Sequence, residues 1–244
     1  MIIAAALCPA PPLLARELTG ADLVLPELRE ACLATVAELQ AASPDVIAVV
    51  GAAAWTRTYD PGARLNLEVF APGLSSVRWA SSADGTGAAD GTGAAELPSS
   101  VGLGAWLLCQ AGYQGNRILR SVGYDEPAGR CAEAGVALAA AGDRVALLVM
   151  ADGSARRGLR APGHLDARSA GFDAEVERAV RAGDLGALLA IDQELARELM
   201  ATGRPAWQVL AGALVEREVT AEVRYCDDPF GVAYLVASLR VPQE

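Results

Sequence analysis

Arg144-Val145-Ala146-Leu147-Leu148-Val149-Met150 is the most continuous apolar run in the chain, and it gives way at once to Ala151-Asp152-Gly153-Ser154-Ala155-Arg156. A short apolar run with β-branched residues, stopped by turn residues, reads as a buried strand. Ile2 to Leu7, Val46 to Val50 and Arg117 to Val122 read the same way. Stretches of helical period lie between them. Leu28, Cys32, Val36 and Leu39 fall on one face of a helix expected over 23–42, which Ser43-Pro44 ends. Further helices are expected over 101–110 and 127–141. Strands alternating with helices in this way make a layered α/β fold.

Three helices are expected after the 144–150 strand. Phe172, Val176 and Val180 define one face of the first, with Asp173 as its N-cap. Asp192 caps the second, which stops at Gly203, and Pro205 opens a third that runs to Leu214. Val219 to Cys226 and Val232 to Val241 read as a closing hairpin around Asp227-Asp228-Pro229-Phe230-Gly231. Leu65 to Phe70 and Ser76 to Trp79 are expected to pair as short, less buried strands.

From Ala80 to Ser100 the composition collapses to Ala, Gly, Ser, Thr and Asp, and Ala-Asp-Gly-Thr-Gly-Ala occurs twice, at 83–88 and 89–94. A flexible surface insert is expected there, because such residues bury too little apolar area to offset the entropy of ordering them. Its Gly-x-Gly spacing is not that of a phosphate loop, since no strand leads into it and no Lys follows. The 244 residues otherwise read as one domain over 1–244.

Twenty basic against 30 acidic residues, a net charge of −10, argues against binding nucleic acid or an anionic membrane through a general positive field. Every cation is an arginine, which coding bias explains. Met1 to Cys8 has no basic flank, stops at Pro9 and carries Leu7 where a cleavage site wants a small residue, so it is expected to be a first strand and not a leader. No apolar run reaches the roughly 20 residues that span a bilayer. The five cysteines, Cys8, Cys32, Cys109, Cys131 and Cys226, are scattered and never in a Cys-x-x-Cys pair. Neither a disulfide framework nor a zinc site follows from them, and a cytoplasmic location is expected.

In open α/β sheets ligands bind beyond the carboxyl ends of the strands. The loops to search are Cys8-Pro9-Ala10-Pro11-Pro12, Gly51-Ala52-Ala53-Ala54-Trp55 and Ala151 to Arg157. Asp152 has two readings: a base or hydrogen-bond acceptor if desolvated, or a turn residue satisfying its own Gly-Ser backbone. Arg156 and Arg157 can hold an anion by bidentate hydrogen bonding, or stand as solvated surface charge. His164, the one histidine, is either a general base, alone or paired with Cys8, or a surface loop residue.

At these same loops the chain resembles the class III extradiol ring-cleavage dioxygenases, in particular the short subunit-B-like proteins of that family. The strand-one motif Pro-His-x-Pro is matched by Pro9-Ala10-Pro11-Pro12, and a second histidine, after the second strand, falls near Ala53. The motif Ser-Gly-Asp-x-Ser-His is matched by Met150-Ala151-Asp152-Gly153-Ser154-Ala155. Gly163-His164-Leu165-Asp166 through Phe172-Asp173, and the Trp207 to Leu214 helix, extend the resemblance over nearly the whole chain outside the insert.

The resemblance implies a single three-layer domain, a central mixed β-sheet flanked by helices, with a pocket at the strand ends. It also implies that two histidines and a glutamate hold Fe(II) while a third histidine is the acid/base residue. Here those three histidine positions are Ala10, Ala53 and Ala155, and no acidic residue lies between Gly203 and Leu214 to supply the glutamate. The expectation is a degenerate or re-purposed homologue without a cofactor, binding a small aromatic or anionic molecule, or a protein partner, in a pocket lined by Cys8, Ala10, Pro11, Ala53, Trp55, Asp152, Ser154, Ala155 and Arg156. Metal-independent catalysis by Asp152 and His164, or an atypical iron dioxygenase, are the alternatives. A homo-oligomer, taken as a dimer, is also expected.

Overall fold

In the computed structural model, which describes residues 1–20, 24–71 and 96–242, the Val145–Met150 strand lies at the middle of a seven-stranded sheet. Its continuous apolar run serves two cores. Val145, Leu147 and Val149 enter one hydrophobic cluster, and Ala146, Leu148 and Met150 enter the other. Successive side chains point to opposite faces, so a strand without polar alternation must be covered on both.

In chain order the elements are β1 (Ile2–Cys8), α1 (Arg16–Thr19), α2 (Pro26–Ala41), β2 (Val46–Ala53), β3 (Arg57–Tyr59), β4 (Arg64–Leu65), β5 (Glu96–Leu97), α3 (Ser99–Gln110), β6 (Asn116–Gly123) and α4 (Ala128–Ala139). They continue with β7 (Val145–Met150), α5 (Ser169–Ala182), α6 (Leu185–Leu189), α7 (Gln193–Glu198), α8 (Arg204–Ala213), β8 (Thr220–Asp227) and β9 (Tyr234–Arg240). The sheet order is β3-β6-β2-β7-β1-β9-β8. β6, β2, β7 and β1 run parallel, while β3, β9 and β8 join antiparallel, which makes the sheet mixed.

Helices α2 and α3 pack on one face with Leu28, Cys32, Val36 and Leu39 turned inward, as the sequence spacing predicts. Helices α4 to α8 cover the other face. Chain leaving β1 and β2 therefore passes to one side of the sheet, and chain leaving β6 and β7 to the other. Such a divergence is where open α/β sheets place a ligand crevice, at the carboxyl ends of adjacent parallel strands. On the second face α4 and α8 approach closely enough that a Cβ added to Gly135 would lie 2.2 Å from the carbonyl oxygen of Val209, and one added to Gly212 would lie 2.4 Å from Cα of Ala132.

Several expectations require correction. The second strand does not stop at Val50 but runs to Ala53, because Gly51, Ala52 and Ala53 stay in register with β6 and Ser100 Oγ donates to the Ala52 carbonyl at 2.7 Å. The helix expected from residue 23 begins at Pro26, and residue 23 lies outside the described residues. The strand expected over Leu65 to Phe70 is short, Arg64–Leu65, and pairs parallel with Glu96–Leu97; its expected partner, 76–79, lies outside the described residues. Leu65 then packs against Gly102, where an added Cβ would meet Leu65 Cδ1 at 2.6 Å.

The insert ends earlier than Ser100, since Glu96–Leu97 is strand and Ser99 starts α3; the duplicated 83–94 segment is outside the described residues. Asp173 does not cap the helix of Phe172, which starts four residues earlier at Ser169, because its carboxylate is drawn to Ser154 instead. Asp192 does cap, accepting from Leu195 N–H at 2.6 Å, but that helix ends at Glu198. Strand β3 and helix α6 were not expected from the sequence.

Candidate functional site

The stretch Pro9-Ala10-Pro11-Pro12 contains a single backbone N–H, since proline has none. That N–H must find a partner. It donates to Oδ1 of Asp152 at 2.8 Å, joining the loop after β1 to the loop after β7. The carbonyl oxygen of Asp152 accepts from Gly203 N–H at 2.9 Å, which brings in the start of α8. A Cβ at Gly203 would lie 2.5 Å from that oxygen, so the approach requires glycine. The turn reading of Asp152 is thus corrected: its side chain is satisfied from a distant loop, not by its own Gly-Ser backbone.

The rest of the 151–157 loop is equally committed. Ala151 N–H donates to the Cys8 carbonyl, Gly153 to Ala233, Ala155 to Leu199 and Arg157 to Gly231, at 2.8–3.0 Å. Ser154 uses both its donors on Asp173, N–H to Oδ1 at 2.9 Å and Oγ to Oδ2 at 2.5 Å. Arg157 Nε pairs with Asp228 Oδ2 at 2.7 Å and sits 3.7 Å from Asp173. The loop is a rigid platform, and the reading of Arg157 as solvated surface charge or anion clamp gives way to an ion-pair role. Arg156 lies against Gly163, with its Nε buried and without a hydrogen bond.

Burial pushes the Asp152 carboxyl up to about 6, against the opposing effect of the Ala10 N–H. Two phenols respond to its charge. Tyr234, nearly buried at the start of β9, and Tyr124, half exposed just beyond β6, are both raised by burial first and by Asp152 second. Cys8 and Cys32 are fully buried; burial raises the Cys32 thiol well above its ordinary value, and the neighbouring Cys8 adds to it. A deeply buried pair of this kind makes Cys8 an unreactive packing residue.

Tyr124 is held from two directions. Its N–H donates to the Ala53 carbonyl at 2.9 Å, and its carbonyl accepts from Arg204 at 2.6 Å. Arg204, almost wholly buried, also donates to the Glu126 carbonyl and to Gln208 Oε1, at 2.7 and 2.8 Å. A cavity of about 220 Å³ opens beside Tyr124, bounded by Gln193, Met200, Thr202 and Arg204. Neither Asp152 nor Ala10, Ala53 or Ala155 lines this cavity, which lies on the α7–α8 side of Tyr124.

Ala10, Ala53 and Ala155 are buried at the ends of three neighbouring strands, Ala53 as the last residue of β2 and Ala10 and Ala155 in the loops after β1 and β7. Trp55 stands 76% exposed at the rim, its carbonyl taking a 2.6 Å hydrogen bond from Ser121. His164 is exposed, with left-handed backbone (φ 60°), and no hydrogen bond or ion pair joins it to Asp152 among the described residues. Sequence reasoning missed Tyr124, Tyr234, Cys32 and Arg204. The strand-end rule that singled out Asp152 would have found Tyr124, had the loop after the 117–122 strand been searched.

A methyl group offers no lone pair, so Ala10, Ala53 and Ala155 cannot ligate iron, and among the described residues no three His, Cys, Asp or Glu side chains are grouped to hold a metal ion. Fe(II) does not fit this residue set. Also among the described residues, no helix is long and apolar enough to cross a membrane.

No protein-family model matches the chain, and no curated protein matches it. Its fold is similar to that in the crystal structure of uncharacterized protein JW3007 from Escherichia coli K12, with a TM-score of 0.53 and 16% identity, over 98% of this chain and 99% of that one. At that identity the likeness is one of fold.

Proposed function

We propose that the chain is a subunit-B-like relative of the class III extradiol dioxygenases that has lost iron chemistry and binds a small aromatic or anionic molecule at the carboxyl ends of β1, β2 and β7. The donor set supports this reading. The three motif positions carry only methyl groups, and the carboxylate among them, Asp152, is already engaged by the Ala10 N–H. Metal affinity follows ligand number and geometry, and one carboxylate does not supply them. Five free cysteines favour a reducing cytoplasm, and the net charge of −10 disfavours nucleic acid as partner. The test is metal content after anaerobic purification and Fe(II) reconstitution beside an untreated control. Iron far below one per chain is expected, and near-stoichiometric iron would overturn the proposal.

One observation favours a second reading, metal-independent catalysis. Burial brings Asp152 to about 6, where a carboxylate serves as a general base near neutral pH, within electrostatic reach of Tyr124. A reaction of this kind would show a rate that rises through pH 6 and disappears in Asp152→Asn.

A further inference from the structure

The cavity of about 220 Å³ on the α7–α8 side of Tyr124 stands apart from Asp152 and the three alanine positions, so what it holds does not rest on the function proposed above. Tyr124 follows directly on β6, Ala196 and Arg197 belong to α7, Met200 lies in the turn beyond it, and Arg204 opens α8.

Arg204 is 2% exposed, yet among the described residues no carboxylate lies within ion-pair distance of it, and its partners are three neutral acceptors. Nη1 donates to the Glu126 carbonyl and to Gln208 Oε1, and Nη2 to the Tyr124 carbonyl. A guanidinium carries five N–H groups, so Nε–H and one hydrogen of Nη2 are left over. Nε is not one of the unpartnered polar atoms sealed inside the protein, so it reaches the cavity that Arg204 lines. Burial lowers the pKa of Arg204, and Cys131, Asp125 and Glu126 oppose this through their fields only. A buried cation held by neutral groups alone is destabilising, and an anion that reaches its free edge offsets part of that cost.

The other walls select what carries the anion. Tyr124 and Met200 are 47% and 40% exposed, large apolar side chains that line the cavity instead of entering the core. Met200 is held there with left-handed backbone (φ 55°), a conformation that a residue with a side chain adopts only when the surrounding structure enforces it. A phenol ring and a thioether both make favourable contacts with an aromatic ring. A cavity of about 150 Å³ accommodates benzene, so this one has room for a benzene ring bearing a carboxylate. Asp125 and Arg197 also line the cavity, exposed and opposite in charge, where water and salt screen both. An ammonium would be repelled by Arg204, and a neutral guest would leave its charge unmet.

We infer that this cavity is a binding site for a small aromatic carboxylate, its carboxylate on Nε of Arg204 and its ring beside Tyr124 and Met200. Benzoate is the probe, titrated into the full chain and followed through the ε-methyl NMR resonance of Met200, with Met1 and Met150 as internal controls. The net charge of −10 gives no general attraction for anions, so a saturable shift reports a site. Saturation is expected, with benzamide, which keeps the shape and removes the charge, about tenfold weaker. Tyr124→Ala, whose backbone contacts remain, should weaken benzoate about three- to tenfold, and Arg204→Met should abolish binding. Saturation that leaves Met200 unmoved would place benzoate elsewhere and overturn the site, as would no saturation at all or benzamide binding as tightly as benzoate. Unchanged affinity in Tyr124→Ala would refute the ring contact and with it the aromatic assignment. Should Arg204→Met not fold, the benzamide comparison on the wild type decides, because it removes the charge from the guest instead of the protein.

Discussion

Ala10 and Asp152, 142 residues apart, are joined by a 2.8 Å hydrogen bond from backbone N–H to carboxylate, and through it the loops after β1 and β7 become one unit. The donor is the one N–H that a proline-rich turn retains. The acceptor is a carboxyl that burial has pushed up to about 6.

A raised carboxyl has a definite effect on stability. Between its ordinary value of 3.8 and about 6, folded Asp152 holds a proton that the unfolded chain has released, so stability falls as pH rises through that window and is level above it. The loss amounts to about 2–3 kcal/mol. Asp152→Asn keeps an acceptor for Ala10 and cannot titrate. Urea unfolding from pH 4 to 7 should show this component of the slope vanish in the variant, which becomes more stable than wild type at pH 7.

Ser154 and Asp173 anchor the same platform to α5. Ser154→Ala removes the 2.5 Å hydroxyl bond but leaves the N–H bond to the same carboxylate. A loss of about 1.5–3 kcal/mol is expected from deleting a hydrogen bond to a partly buried carboxylate, measurable as a lower midpoint of thermal unfolding without change in the far-ultraviolet circular dichroism.

The α4–α8 seam tolerates no side chain. Gly212→Ala would place a methyl 2.4 Å from backbone atoms of Ala132, which cannot move aside as a side-chain tip can. Destabilisation by about 3 kcal/mol or more is expected. Gly129→Ala, at the solvent side of α4 where an added Cβ meets nothing within 4 Å, should be neutral or slightly stabilising.

Arg204 closes the α8 end by donating to two carbonyls and one amide oxygen. Arg204→Met keeps the bulk and strands all three acceptors. A loss of about 2–4 kcal/mol is expected, together with greater exposure of the Tyr124 region to hydrogen exchange, because its carbonyl loses its donor.

Restoring histidines tests the proposed ancestry. The triple variant Ala10→His, Ala53→His, Ala155→His should take up iron more tightly than wild type under anaerobic reconstitution. Equal iron content in a folded variant would mean that these positions are not a vestigial metal site.

The periodicities of the chain made most of the fold legible. The buried faces of α2 and α5 and the paired strands β8 and β9 follow from spacing alone, because side-chain direction repeats every 3.6 or every two residues whatever the partner. Elements too short to carry a period, such as β3, β4 and α6, were invisible or misassigned. The end of β2 was misread because glycine and alanine carry little strand preference of their own. Its pairing with β6 and the Ser100 bond to Ala52 decide it.

At the site the division is sharper. By itself the sequence determined which groups are present: no histidine at Ala10, Ala53 or Ala155, one aspartate in the three motif loops, and a single N–H in Pro9-Ala10-Pro11-Pro12. Composition is local information and needs no fold to be read. Only the tertiary structure decided that this N–H and this aspartate meet, that Arg157 is tied to Asp228, and that Cys8 is sealed against Cys32. Hydrogen bonds and desolvation act over a few ångströms between residues far apart in the chain, so they exist only once the sheet has brought its carboxyl ends together.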